Sequence, residues 1–321
     1  MENIVKENQA WIDGIWEKID KKLKPVSLSA YDKLPYTTVN GKYTNKDTDE
    51  GVCWWTNGFW PGLMWLMYVG TKEEQYRKTA EHAEELLDKA FEIYDGLHHD
   101  VGFMWHISAG VNYRLFGGHK SEVRAMHAAD ILAARFNSSG NFIRAWNGKD
   151  NLGWVIIDSM MNIPLLYWAS RKTGDPRYKY VAMSHADTTM KTHLRADGSV
   201  NHIVNLDIVT GESLETFGGQ GYEAESSWSR GQSWALYGYV LSYIHTQKQE
   251  YLDAAKRVAH YFIANTAEYA VPLCDFRAPK EPVIYDTTAG ACAACGLIEI
   301  AKNVPVYEKV LHLKAALRIV K

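Results

Sequence analysis

Apolar residues recur at helical spacing in about eleven successive segments, and this regularity restricts the fold more than any other feature of the chain. The segments span 3–23, 58–70, 73–93, 103–117, 119–136, 152–172, 175–192, 227–247, 249–267, 286–301 and 305–320. An internal repeat runs through them. Tyr76, Tyr178, Tyr251 and Tyr307 each open a helical run with Ala or a similar residue further along the same face, and Val123 heads a looser copy. These anchors recur at roughly 50 residues, about one helical hairpin with its loops. Each copy follows a helix whose start is rich in Gly, Trp and Asp. That alternation predicts inner helices carrying unusual polar residues and outer ones carrying solvated charge. Six such hairpins closed in a ring would give an all-α (α/α)6 barrel; an open superhelix of hairpins is the alternative.

The rest of the composition agrees with one domain over 1–321. A chain of 321 residues can bury a large core without splitting. Its 35 basic and 38 acidic residues leave a formal charge of −3, so no electrostatic footprint for nucleic acid exists. No run of about 18 apolar residues predicts a membrane span, and the first residues lack an apolar signal core. Cys53, Cys274, Cys292 and Cys295 suit a reducing, cytoplasmic setting. Cys292 and Cys295 have CxxC spacing, but within a helical pattern and without a second ligand pair, and read as small buried thiols.

Two stretches interrupt the helices. Residues 195–226 contain Asp197-Gly198, His202, Thr210-Gly211 and Phe217-Gly-Gly-Gln220-Gly221, which read as a short hairpin and a glycine-rich loop. Residues 268–286 carry Pro272, Asp275, Pro279, Pro282 and Asp286. Long loops between helices usually build a site.

Three acids and one helix start could carry chemistry. Asp158 sits in Trp154-Val-Ile-Ile-Asp158-Ser-Met-Met, flanked by Ile157 and Met160. Read as part of a helix, it is shielded from water, and desolvation favours the protonated form that a proton donor needs. A structural acid paired with an arginine is the competing reading. Asp100, after His98 and His99, could act chemically or cap the next helix. Asp286 reads as a cap for 287–301. The segment Ser226–Tyr239 places Arg230, a glycine and a glutamine between Trp228 and Trp234. Free N–H groups, a guanidinium fork and aromatic faces at one point suit a sugar bearing a carboxylate. A capped core helix with buried indoles explains the same residues. No HExxH, GxSxG or P-loop pattern occurs.

Taken in order, several of these elements resemble glycoside hydrolase family 88, the unsaturated glucuronyl hydrolases. They are Trp55-Thr-Asn-Gly58-Phe-Trp60-Pro-Gly62, His99-Asp100-Val-Gly102-Phe, Ile157-Asp158-Ser-Met-Met-Asn162, Asp197-Gly198-Ser, Gln220-Gly-Tyr, Ser227-Trp-Ser-Arg230-Gly-Gln-Ser-Trp234 and Pro272-Leu-Cys-Asp275-Phe with Asp286. The related rhamnogalacturonyl hydrolases share the barrel, but their helix-start motif reads Arg-Gly-Asn-Gly-Trp, unlike Arg230-Gly-Gln-Ser-Trp234 here. A non-catalytic sugar-binding barrel is the third reading.

The resemblance implies an α/α barrel that needs no metal or cofactor. It implies an unsaturated uronyl oligosaccharide as substrate and hydration of its C4=C5 bond. It also implies Asp158 as general acid and base and Asp100 as second acid. His202, Gln220, Arg230 and Trp234 would line the uronate subsite, with His99 and Trp146 beside them and Trp55 or Trp60 as an aromatic wall. The barrel of the family has twelve helices against the eleven read here. The resemblance therefore predicts a missing last helix and an open seam, with low activity, reduced stability or self-association.

Overall fold

In the computed structural model, residues 2–266 and 270–321 are described. The chain divides into two compact units, Met1–Leu132 and Ala133–Lys321. The predicted end of one helix at residue 267 and the first residues of the 268–286 loop lie outside the described residues.

The first unit contains α1 (Glu2–Glu7), α2 (Gln9–Ser29), β1 (Pro35–Val39), β2 (Lys42–Asn45), α3 (Phe59–Thr71), α4 (Glu74–Ile93), α5 (Val101–Trp105) and α6 (Ala109–Phe116). It also holds most of α7 (His119–Ala134). β1 and β2 form an antiparallel pair that the helical periodicity did not indicate. The predicted 103–117 helix is two short ones. A left-handed Lys72 (φ 63°) turns α3 back into α4, and Met64, Trp65, Tyr76 and Leu87 fill the space behind them. One acid lies inside this packing. Glu84 accepts from Trp65 Nε1 (3.0 Å) and Ser121 Oγ (2.8 Å), and Arg124 lies 3.3 Å away. These partners offset the burial that raises its pKa.

The second unit begins with the remainder of α7 and continues through β3 (Phe136–Asn137), β4 (Phe142–Ile143), β5 (Trp154–Ile156), α8 (Pro164–Thr173), α9 (Pro176–Thr192), β6 (Ile203–Leu206), β7 (Ser213–Phe217), α10 (Ser229–Thr246), α11 (Gln249–Asn265), α12 (Thr287–Asn303) and α13 (Val306–Val320). Helices pair as hairpins, α8 with α9 through Gly174 (φ 74°) and α10 with α11 through Gln247 (φ 60°). The tyrosine anchors of the repeat acquire a physical meaning. Tyr76 and Tyr251 are fully buried, and each hydroxyl reaches an aspartate of an earlier helix, Asp20 and Asp187, both at 2.8 Å. Tyr307 departs from the pattern, being 81% exposed.

α10 is buried on nearly every side; a helix hidden all round belongs in a core. Its neighbours approach through missing side chains. A Cβ on Gly296 of α12 would lie 2.1 Å from Leu236, and one on Gly238 would lie 2.5 Å from Met160. The predicted 152–172 helix needs the largest correction. Its first part is β5, followed by a 3-10 turn at Ile157–Met161, and only Pro164–Thr173 is α-helical.

β5, β6 and β7 form one antiparallel sheet in that order. Val155 and Val204 join Phe142 and Leu206 on one face. Ile156 and Ile203 join Ala145, Trp146, Trp154 and Phe217 on the other, as a period of two requires. Among the described residues no helix is long and apolar enough to cross a membrane.

Candidate functional site

The register of this sheet explains how distant residues meet. Ile156 pairs with Ile203, and Ile203 with Phe217. The ladder continues one step, with the Ile157 amide donating to the His202 carbonyl at 3.0 Å. Just beyond the ladder, Asp158, His202 and Gly218 therefore leave the three strands at the same end. Asp158 is only 8% exposed. Its Oδ1 lies 3.4 Å from His202 Nε2 and has no hydrogen-bond partner among the described residues. The reading of Asp158 as a structural acid needs an arginine, and among the described residues none pairs with it. The shielding expected at Asp158 is present, although a sheet end and a 3-10 turn create it, not a helix.

His202 is held on its other sides. Its Nδ1 accepts from the Gln220 amide at 3.0 Å and lies 3.1 Å from the Gly218 carbonyl. Its ring packs on Trp228 at 4.3 Å. Trp228 in turn lies under the Arg230 guanidinium, 5.3 Å from ring centre to Cζ. Gly231 makes room for this indole, since a Cβ there would sit 2.9 Å from the ring. Trp228 thus links two expected site residues, a role the sequence reading did not give it, although it stands in the same motif. Trp234 lies one turn beyond Arg230 on α10 and is 4% exposed. Trp146 is half-buried against Trp154, with centroids 5.9 Å apart, on the aromatic face of the sheet.

Arg230 has an acidic partner. Nε and one amino nitrogen reach Asp286 Oδ2 at 2.9 and 2.8 Å. The other oxygen of Asp286 accepts from the Ala289 amide at 2.9 Å. Asp286 therefore caps α12, as expected, and also fixes the guanidinium. Asp275 organises the surrounding loops. It accepts from the Tyr222, Ser227 and Arg277 amides and the Ser226 hydroxyl, at 2.6–3.0 Å. Gln220 is exposed and borders a cavity of about 190 Å³ shared with Tyr222, Leu273, Cys274 and Ile284.

Two further histidines lie behind the sheet end. His193 faces the Val155 carbonyl at 3.2 Å; burial, opposed by that carbonyl and reinforced by the charge of His202, lowers its pKa to about 4. His185 accepts from the Ile143 amide at 2.9 Å and meets Ser159 Oγ at 2.6 Å; burial lowers its pKa to about 3. Cys292 is within electrostatic reach of Asp158 and Arg230, and burial pushes its thiol up. Cys295 is exposed, which corrects its reading as a buried thiol.

The remaining candidates lie in the first unit. Trp55 stands in a 3-10 turn ending at Gly58, where a Cβ would come within 2.2 Å of the Phe103 carbonyl. This close approach sets Trp55 5.5 Å from the Phe103 ring. Asp100 occupies the cap position of α5 but makes no side-chain cap bond. It faces His98 Nδ1 at 3.4 Å and His99 Nε2 at 3.5 Å instead. Among the described residues these three form the group able to hold a metal ion, with ligand atoms within 4.8 Å of one another. Trp60 is 7% exposed.

No family model matches the chain. It is 37% identical over 281 residues to the unsaturated glucuronyl hydrolase of Bacillus sp. (strain GL1), covering 85% of this chain and 73% of that protein. It is 31% identical over 338 residues to the unsaturated chondroitin disaccharide hydrolase of Streptococcus pyogenes serotype M1, covering 97% and 81%. The crystal structure of the Bacillus sp. GL1 enzyme, described as responsible for glycosaminoglycan degradation, superposes with a TM-score of 0.85 at 33% identity, covering 92% of this chain and 81% of that one. A related structure named with the ligand dGlcA-Glc-Rha-Glc gives 0.86 at 32% identity, covering 94% and 83%. These likenesses put the chain in the all-α, α/α-barrel class expected from its hairpins.

Proposed function

The chain belongs to the unsaturated glucuronyl hydrolase family, and from that premise we propose that it releases the 4,5-unsaturated uronyl residue from the non-reducing end of lyase-generated oligosaccharides. The observation carrying the proposal is Asp158, a buried carboxyl group with one oxygen open and, among the described residues, no arginine or lysine partner.

The chemistry follows from the substrate. The double bond is a vinyl ether, so protonation at C4 leaves a cation at C5 that the ring oxygen stabilises. Asp158 donates that proton. Water then adds at C5 and returns a proton to the carboxylate, leaving Asp158 as it began. The hemiketal opens and releases the aglycone. A single carboxyl group serves both steps, so the spacing rule for paired glycosidase carboxylates does not govern this reaction.

Arg230, fixed by Asp286 and backed by Trp228, meets the uronate carboxylate with its remaining amino group in this reading, which the ion pair and the ring contact support. Gln220, Trp146 and Trp234 serve as further lining residues. For Asp100 as second acid, and for His99, Trp55 and Trp60 as lining residues, the reading rests on the family resemblance.

The test uses the near-ultraviolet absorbance of the conjugated enol ether, which hydration abolishes. Asp158→Asn should lower turnover of unsaturated disaccharides by roughly 10²- to 10⁴-fold with an unchanged circular dichroism spectrum. Near wild-type turnover by this variant would reassign the proton donor. Steady absorbance with the wild-type protein and both glycosaminoglycan- and pectin-derived products would overturn the activity.

A further inference from the structure

His202 is wrapped on its Nδ1 edge by three residues of backbone. Gly219 adopts a left-handed conformation (φ 59°), and a Cβ there would stand 2.3 Å from Nδ1. Any other residue would force ring and loop apart. The bend this glycine permits turns two backbone groups of opposite character onto the nitrogen, the Gln220 amide at 3.0 Å and the Gly218 carbonyl at 3.1 Å.

These two neighbours make contrary demands. An amide N–H can only donate, so it requires a lone pair on Nδ1. A carbonyl can only accept and favours a hydrogen there. The surroundings decide between them. The Gly218 carbonyl already accepts from the Gly221 amide at 2.9 Å, whereas the Gln220 amide has no other acceptor among the described residues. Nδ1 therefore carries the lone pair. The single hydrogen of the neutral ring is then on Nε2, which lies 3.4 Å from Asp158 Oδ1 without being hydrogen-bonded to it. The ring has little freedom to turn, being 6% exposed and packed on Trp228.

We propose that Gly219 is a positioning residue that fixes the tautomer of His202, so that the imidazole presents an N–H to the carboxyl group of Asp158. The proposal rests on the assignment of Asp158 as the proton donor. In the reaction it has one consequence. Once Asp158 has given its proton to C4, the resulting carboxylate faces a hydrogen-bond donor with no lone pair to compete for the returning proton. The opposite tautomer would place a basic nitrogen there and hold the acid's proton away from the substrate. The titratable groups that face His202 are Asp158 from the 3-10 turn and His193 from the end of α9, with Arg230 across Trp228.

The tautomer is read directly from uniformly ¹⁵N-labelled wild-type protein by long-range ¹H–¹⁵N correlation, with the ring signals assigned by their loss in His202→Gln. An unprotonated Nδ1 and a protonated Nε2 are expected, and a protonated Nδ1 in the neutral ring would overturn the proposal. In Gly219→Ala the pattern should become mixed. Its kcat should fall by roughly 10- to 100-fold, as for a small misplacement of a catalytic group, with KM within a factor of about three. Wild-type kcat in that variant would also overturn it. The wild-type spectrum decides the matter even where Gly219→Ala does not fold. Because the spectrum needs no turnover, an inactive protein with the expected tautomer would sink the proposed activity and leave the clamp standing.

Discussion

Met160 Cβ occupies the space where a side chain on Gly238 would begin. A Cβ at residue 238 would lie 2.5 Å from Met160 Cβ and 2.7 Å from the Met160 carbonyl oxygen. Met160 belongs to the same 3-10 turn as Asp158, so the backbone of α10 is the surface against which the proposed acid is set. A bare helix at this position brings the turn closer than any other residue would allow.

Gly238→Ala is expected to push that turn outward. Overpacking of a buried contact costs about 1–3 kcal/mol, which should appear as a lowered melting temperature. Displacement of Asp158 should lower kcat as well, with KM nearly unchanged because Arg230 stands two turns away on the helix. Thermal melting and steady-state kinetics on the same preparation check both. A variant with wild-type melting and kcat would show that the turn moves freely.

Asp286 holds Arg230 with one oxygen and caps α12 with the other, and two substitutions separate these tasks. Asp286→Asn keeps a cap acceptor and removes the charge. The guanidinium is then free to leave its position over Trp228, and KM should rise roughly tenfold, near the low end for a charged hydrogen bond because Arg230 is partly exposed. Melting should change little. Asp286→Ala should repeat the rise in KM and add about 1 kcal/mol of lost capping stability. Equal KM values for both variants and the wild type would remove Arg230 from carboxylate binding.

Helical hairpins were legible in the chain because their signal is local. α4, α9, α10, α11, α12 and α13 follow the apolar spacing to within a few residues. The motif residues were legible as a set through the resemblance. What a one-dimensional pattern did not show was the sheet end. β5 spans Trp154–Ile156, too short for period-two alternation to stand out, and its apolar run continues into α8. Its identity comes from pairing with β6, nearly 50 residues away. The adjacency of Asp158 and His202 depends on that pairing. Trp228 was visible as a motif residue, but its place between His202 and Arg230 depends on the hollow above Gly231. The clamp at Gly219 is a matter of one backbone angle. A glycine-rich loop signals such freedom without saying which atom the bend approaches.

The buried histidines behind the site predict a dependence of stability on acid. His185 and His193 have pKa values lowered to about 3 and about 4 by burial, against about 6.5 in the unfolded chain. Below pH 6.5 the unfolded state binds protons that the folded state refuses, so stability falls as pH falls toward those values. Above that range the two states bind equally and the effect is absent. The slope is at most about 1.4 kcal/mol per pH unit for each residue. Glu84 acts in the opposite sense, since burial raises its pKa, and the wild-type slope alone is therefore not diagnostic. His185→Gln separates the contributions. It should be less stable than wild type at pH 7.5, having lost the fit between the Ile143 amide and Ser159. Between pH 6.5 and 4.5 its denaturant midpoint should decline less steeply than that of wild type, because one proton-refusing group is gone. Parallel curves for the two proteins would mean that His185 accepts its proton in the folded state, which its place between an amide donor and a serine hydroxyl does not allow without local rearrangement.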